Sequence, residues 1–428
     1  MYFHHKIQLC VALFISATTW LPAQKVYSLE ECRTMALENN VKVRNAANST
    51  EAAKQTKKEA FTHFFPTVSA TGMGFNANKG LLQTDMGPGM QMSMLKDGIL
   101  GGITLTQPVF AGGQIINGNK LASVGVEVSK LQENQSEDEV RLTVEQYYWQ
   151  VVTLQEKRKT LLAIEKQLQR IEKDVQVSVD AGVTTRNNLL QVQLRENDIE
   201  SSRINLENGL SLSRMVLAQY IGAKEETIEV ETTIPMESTP TFPNDLYVDP
   251  TTSLPTTKSY QLLEQNVKAN KLQKKIEVGK NLPTVGVGAG YMYDDLMDKS
   301  HPFTIGFVSV SVPLSAWWGG SHAIKKQQLQ VVNAENQMTD GSELLIIGMQ
   351  KAWNDLEDAY KQILVARKSI DQSTENLRLN EDYYKAGTTT MSDLLDAQTL
   401  YQQSRDKYVD SYAQFKIKAT EYLQATGR

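Results

Sequence analysis

The chain has 428 residues, of which 41% are hydrophobic and 22% charged, with a formal charge of -5. Its mean hydropathy is -0.36, and beyond about residue 21 no apolar run reaches the ~18 residues a spanning helix needs. A helical membrane protein is excluded, as is a nucleic-acid binder, which would need a basic footprint. Contact with a membrane would have to come from strands.

The single apolar stretch runs from Ile7 to Leu21 behind Lys6 and ahead of Pro22-Ala23-Gln24, the pattern of an export signal, here residues 1–24. Cleavage near Gln24 removes Lys6 and leaves the mature charge at -6. Cys10 departs with the signal. Cys32 follows Leu29-Glu30-Glu31, which is no lipid-attachment motif, and is read as a half-buried helix position without a disulfide partner.

Downstream, one unit is written twice. Phe65-Pro66-Thr67-Val68 recurs as Leu282-Pro283-Thr284-Val285, and Gln107-Pro108-Val109-Phe110-Ala111-Gly112-Gly113 as Val312-Pro313-Leu314-Ser315-Ala316-Trp317-Trp318-Gly319-Gly320, with two residues inserted. Ala181-Gly182-Val183-Thr184-Thr185 recurs as Ala386-Gly387-Thr388-Thr389-Thr390. The interval from Pro108 to Gly182 and from Pro313 to Gly387 is 74 residues in both. The first repeat is set at 25–222 and the second at 257–428. Between them lies a connector, 223–256, holding five of the twelve prolines, read as irregular with a short strand at Ile228 to Val230.

Each repeat begins with a helix, Leu29 to Phe64 and Lys258 to Asn281, ending at a proline. A strand pair follows, about 67–110 and about 284–314, its strands about 9 to 11 residues long, the length a tilted strand needs to cross a bilayer. The alternation is clear in Val308, Val310 and Val312 against Ser309 and Ser311. Next comes one very long helix. From Gly113 to Ala181 there is no proline, and Val140, Val144, Tyr147, Val151, Leu154, Leu161, Ile164, Leu168, Ile171 and Val175 step by three, four or seven. Leu356, Ile363, Ile370, Leu377 and Tyr384 repeat by seven. A helix of that length, on the order of 100 Å, has to pack against others laterally. The Gly-Thr turn then reverses the chain into a shorter helix, about 186–219 and 391–424.

Four membrane-length strands cannot close a barrel, and an open sheet edge in lipid leaves backbone groups unpaired at several kcal/mol each. Three chains give twelve strands and room for a water-filled lumen, with the helices continuing as a tube. The expected fold is therefore α+β: a trimeric 12-stranded outer-membrane β-barrel, four strands per chain, continuing into a long periplasmic α-helical barrel.

The segments Ile103-Thr-Leu-Thr-Gln-Pro-Val-Phe-Ala-Gly-Gly113 and Ala386-Gly-Thr-Thr-Thr-Met-Ser-Asp-Leu-Leu-Asp-Ala-Gln398, each with its second copy, resemble the TolC-like outer membrane factor family over essentially the whole mature chain. The resemblance implies a passive exit duct of a tripartite efflux pump or type I secretion system, and neither an enzyme nor a cofactor-bearing protein. Its partners would be two further copies of the chain, a periplasmic adaptor (membrane fusion protein), an inner-membrane pump and outer-membrane lipid. Ser315-Ala316-Trp317-Trp318 departs from the aromatic-Asp that the family places before the glycines.

Three sets of site residues follow. Asp393 and Asp396 share one helix face, so a trimer would gather six carboxylates about one axis, and the resemblance places a closed periplasmic gate there; Thr390-x-x-Asp393 is equally a capping box. The first copy has Asn188 and Gln191 instead. The turns Gly182, Val183, Thr184, Thr185 and Gly387, Thr388, Thr389, Thr390 are the expected adaptor-docking sites. Pro108, Gly112, Gly113, Pro313, Gly319 and Gly320 form the expected barrel-to-helix joint. His63, His301 and His322 have no metal-ligand spacing. Gly286-Val-Gly-Ala-Gly290 continues a strand and lacks the Lys-Ser/Thr of a phosphate loop. Met90-Gln-Met-Ser-Met94 could offer thioethers to Cu(I), although its period of two suits the flexible tip of the first hairpin. The competing reading is an exported coiled-coil scaffold or adhesin stalk, which would not require strand pairs at matching places.

Overall fold

A computed structural model describes residues 26–85, 91–224, 228–231, 234–296, 299–314 and 316–428. The export signal and Met90 lie outside these residues. The chain forms two compact units that interleave in sequence: the first takes residues up to Arg44, Ser136–Pro250 and Gly348–Arg428, the second Asn45–Gln135 and Thr251–Ile347.

In the first unit, β1 (Val26–Tyr27) leads into α1 (Leu29–Asn39). Ser28 and Glu31 form a reciprocal capping box: the Ser28 hydroxyl accepts from the Glu31 amide, and the Glu31 carboxylate accepts from the Ser28 amide. The helix read from Leu29 to Phe64 is broken, however, at Asn40. That residue is extended (φ -67, ψ 132), and its side-chain oxygen accepts from the Lys42 amide 2.9 Å away as α2 (Val41–Thr62) begins. Its amide donates to the Tyr220 carbonyl, and that of Asn39 to Ile221. The two asparagines thus satisfy carbonyls orphaned at another helix's end, which offsets the interruption.

Long α3 (Gln114–Asp180), α4 (Arg186–Ile221), long α6 (Ala316–Lys385) and α7 (Met391–Ala425) contribute most of this unit's core. One cluster joins Cys32 and Ala36 to Val140, Val144, Val151, Leu217, Leu356, Ile363, Tyr408 and Tyr422; a second joins Leu161, Ile164, Leu168 and Val175 to Leu189, Val192, Leu377, Met391 and Leu394. The heptad positions are therefore the buried ones, with Tyr147, Leu154, Ile171 and Tyr384 at their margins. Cys32 is fully buried, where a half-buried position was expected.

The connector is bound to this core by tyrosines. Tyr408 donates to the carbonyls of Pro235 and Ser238 at 2.8 and 2.9 Å, Tyr148 to that of Glu231 at 2.8 Å, and Tyr422 accepts from the Val248 amide at 3.0 Å. It contains β6 (Glu229–Val230), which runs parallel to β1, and single helical turns at Asn244–Leu246, Pro250–Ser253 and Leu254–Thr256. The short strand is where it was expected, and the helical turns are additional.

The second unit holds α2 from Asn45 onward, the start of α3, α5 (Lys258–Gly279), the start of α6 and a four-stranded antiparallel sheet of order β2-β5-β7-β8. The strands are β2 (Thr67–Asn76), β5 (Asp97–Ala111), β7 (Thr284–Leu296) and β8 (Lys299–Ser311), of 10, 15, 13 and 13 residues. Three exceed the expected 9 to 11. A register shift between Pro108 and Phe110 lets β5 continue past a residue that has no amide to donate. A small hairpin, β3 (Leu82–Asp85) with β4 (Gln91–Met94), extends the first strand pair. The Gln91–Met94 part of the methionine run is accordingly a paired strand, where a flexible tip was expected.

Candidate functional site

The ends of the two helical hairpins lie in the first unit. Both long helices stop in the same way. The Gly182 amide donates to Val179 and the Val183 amide to Ser178; the Gly387 amide donates to Tyr384 and the Thr388 amide to Tyr383. This is the double closure of a Schellman motif. It requires a left-handed residue, and Gly182 and Gly387 have φ of 70° and 71°. No atom lies within 4 Å of where a Cβ would stand on either. Val183 projects into solvent at 80% exposure, and Thr185, Thr388 and Thr390 are exposed as well.

At the start of α7, Thr390 is the N-cap. Its hydroxyl accepts from the Asp393 amide at 3.2 Å, while the Asp393 carboxylate accepts from the Thr390 amide at 3.1 Å and from the hydroxyls of Thr390 and Thr389 at 2.6 and 3.0 Å. The Thr390 hydroxyl, followed by its backbone amide and the Thr389 hydroxyl, holds the Asp393 carboxyl below the usual carboxylate range. Asp396 lies one turn further on, also exposed, and takes no part in the cap. The cap and a shared acidic face are thus both present, and only Asp393 belongs to both.

The two hairpins are joined here by side chains that the sequence reading passed over. The Tyr384 hydroxyl hydrogen-bonds to the side chains of Thr184 and Asn188, and burial pushes its pKa up. Asn188 donates to Thr184 at 2.7 Å. Buried Gln398 donates to Gln167 at 3.0 Å, Gln167 in turn to Glu381, and Arg195 to Gln402 at 3.0 Å. Gln398 interrupts the apolar run Met391, Leu394 and Ala397 on the buried face of α7, which is the signal that could have revealed it. Gln167, Asn188, Glu381 and Tyr384 border a groove of about 1040 Å³ that reaches Val183, Thr184, Gly387 and Thr389.

In the second unit the two sheet-to-helix joints differ. Gly112 and Gly113 are left-handed (φ 60° and 75°), and a Cβ on Gly112 would strike the Gly279 carbonyl at the end of α5. Gly319 and Gly320 instead lie inside the first turns of α6, beyond Pro313. There Gly320 makes room for the side chain of Asn281, and the Asn281 backbone carbonyl accepts from the Trp317 indole at 2.9 Å. Glycine is needed for conformation in the first joint and for close approach in the second.

Strand register divides the sheet into two chemically distinct faces. Val68, Ile99, Ile103, Leu105, Val287, Tyr291, Val308 and Val310 share one face and are all exposed. The other carries Ser69, Thr71, Thr104, Thr106, Ser309 and Ser311 with Gly102, Gly286, Gly288 and Gly290, together with exposed Met73, Phe303 and Ile305; Ser69 and Thr104 hydrogen-bond across strands at 2.9 Å. Phe307 is fitted on this side over Gly288. A face that concentrates exposed Val, Ile, Leu and Tyr side chains, opposite one richer in Ser, Thr and Gly, suits a lipid-facing barrel wall. Among the described residues no helix is long and apolar enough to cross a membrane.

The chain belongs to the outer membrane efflux protein family, whose model matches residues 33–223 and 259–428. It is an outer-membrane protein extending into the periplasm, from a family of channels. Its fold is that of solved outer-membrane channels. It superposes on CmeC of Campylobacter jejuni with a TM-score of 0.78 at 12% identity, covering 93% of this chain and 85% of that one. For VceC of Vibrio cholerae the values are 0.74, 12%, 93% and 96%, and for the open state of MtrE of Neisseria gonorrhoeae 0.76, 15%, 93% and 88%. A search of curated proteins finds no match.

Proposed function

We propose that this chain is the outer-membrane exit duct of a tripartite efflux pump or a type I secretion system, acting as a homotrimer whose sheets close into a 12-stranded barrel. The observation that carries this reading is the pair of open edges. In the order β2-β5-β7-β8, the outer sides of β2 and β8 have no partner in the protomer among the described residues, yet one face of the sheet concentrates exposed Val, Ile, Leu and Tyr side chains. Backbone groups unpaired in hydrocarbon cost several kcal/mol each, so β8 of one copy pairs with β2 of the next. Native mass measurement in detergent tests this: three protomers are expected, and a stable folded monomer in the membrane would refute it.

In this reading each chain is a tandem repeat, 25–222 and 257–428, after an export signal at 1–24. Gly182 to Thr185 and Gly387 to Thr390 receive hairpins of a periplasmic adaptor, which links the duct to an inner-membrane transporter. Asp393 and Asp396 ring the periplasmic entrance, and the glycine joints of both repeats set the helices beneath the barrel. The duct is passive, with no bond made or broken in its substrate. The groups available to it are a polar wall, a carboxylate ring and side-chain links between hairpins.

A further inference from the structure

The sheet and the helices of the second unit meet along one end. The register pairs Ala111 with Thr284 and Thr284 with Ser311, so the close of β5, the start of β7 and the close of β8 lie together, beside the start of β2. Exposed apolar residues crowd this end: Phe61, whose ring meets those of Phe64 (tilted) and Phe65 (edge-on), then Phe110, Leu282 and Leu314. Trp317 is half exposed and Trp318 is 83% exposed.

All four helices that leave this end repeat one pattern. On α2, exposed Phe61 follows Lys57 and Lys58 by four and three residues; on α3, exposed Ile116 precedes Lys120 by four. On α5, Val278 follows Lys275 by three, and on α6 Trp318 precedes Lys325 by seven. Such spacings put each pair on one helix face. In every case the lysine is the member further from the sheet, by about 5–10 Å at the rise of an α-helix. All five lysines are exposed, and none is held in an ion pair among the described residues. Their neighbours Lys54, Lys271 and Lys280 are instead paired with Glu51, Glu335 and Glu277.

We propose that this two-layered collar binds anionic phospholipid headgroups in the membrane leaflet on the helix side of the sheet. The apolar layer lies at the acyl boundary, where aromatic rings anchor barrels. The lysine layer lies one headgroup further out, where fixed positive charge attracts phosphate. The proposal rests on the reading of the sheet as a membrane barrel. It adds a lipid class and a site that a neutral belt would not supply.

The full protein, reconstituted into phosphatidylcholine nanodiscs, reports on the collar through Trp317 and Trp318, because Trp149 is buried and Trp353 packs in the first unit. A minor fraction of brominated phosphatidylglycerol should quench tryptophan emission as if enriched on the order of fivefold over the same fraction of brominated phosphatidylcholine. Lys58→Gln/Lys120→Gln/Lys275→Gln/Lys325→Gln should abolish that difference while leaving quenching by phosphatidylcholine intact. Trp317→Phe/Trp318→Phe should remove quenching by both. Equal quenching of the wild type by the two lipids would overturn the anionic site and leave the barrel reading untouched. No quenching by either would overturn the membrane placement itself. Equal quenching together with lysine-dependent sedimentation with peptidoglycan would assign the lysines to the cell wall and overturn the proposal.

Discussion

Replacing Gly182 and Gly387 by tryptophan tests adaptor docking with little damage to the protomer. Neither position has an atom within 4 Å of the new Cβ, so the substitution meets no steric clash at Cβ. What remains is the left-handed backbone, which costs an ordinary residue about 1–2 kcal/mol. Behind the turns the hairpins are held by the buried Ile164, Leu168, Val175, Leu189, Val192, Met391 and Leu394, each contributing about 1.5–3 kcal/mol. The strain should therefore fray the last helical turn and leave the hairpins in place, while each indole adds about 150–250 Å² of obstruction. In cells deleted for the gene, the double variant should reach the outer membrane at wild-type trimer yield and fail to restore export. Gly387→Asn, which tolerates the left-handed region with little bulk, should restore it. If Gly182→Trp/Gly387→Trp supports export, docking lies elsewhere; if Gly387→Asn fails as badly as tryptophan, turn conformation and not surface is what matters.

The cap and the gate at α7 can be separated, because Asp396 makes no cap bond and Thr390 carries no charge. Asp396→Asn should reduce cation preference in planar bilayers without changing thermal stability, whereas Thr390→Ala should lower stability by about 0.5–2 kcal/mol at unchanged reversal potential; the opposite pattern would remove the gate. Asp406 on α7 has its pKa raised from 3.8 to about 6, chiefly by burial, with Lys157 opposing and Asp410 adding to the shift. Because the folded value is the higher, the stability this group contributes is complete below about pH 4 and is lost as pH rises through 6. Asp406→Asn should thus stabilise at pH 8 by roughly 1–2 kcal/mol after screening and change nothing near pH 4, as read by urea midpoints. Ile363→Ala, at a fully buried heptad position, should cost about 2–5 kcal/mol in the same assay; a loss under 1 would show that the cluster collapses around the void.

Periodicity reported the long helices and strand pairs because each was written over many residues. Spacing by three, four and seven identified Val140, Leu168, Leu356 and Ile363 as core, and alternation identified Val308 and Val310 as one face. What escaped was fixed by single long-range contacts. Asn39 and Asn40 lie in a stretch of strong helix formers, and the break appears only when the carbonyls of Tyr220 and Ile221, some 180 residues away, are seen to need donors. Val26–Tyr27 has no strand signal of its own and acquires one from Glu229–Val230. The Gly-Thr turns and the Thr390–Asp393 box were legible because their bonds are local. Tyr384 to Thr184 was not, because it joins two copies of one motif, and likeness between copies carries no sign that they touch. The two joints differ in a way their alignment does not show: Gly320 accommodates Asn281, while Gly112 and Gly113 turn the chain.

The sheet order also governs when the protein can fold. β2 and β5 are linked by a local hairpin, as are β7 and β8, but the seam between them, β5 against β7, joins Gln107 to Val287. The 67-residue helix α3 and the whole of α4 must be synthesised before that seam can form. Closing so long a loop is slow, although its entropic cost grows only logarithmically with length. Until then the nascent chain carries two separate ribbons, each with an apolar face and two free edges, which is the state most prone to mispairing. On the proposed reading of an export signal and a trimeric barrel, sheet closure deferred to the bilayer would keep these ribbons apart until all their partners are within reach.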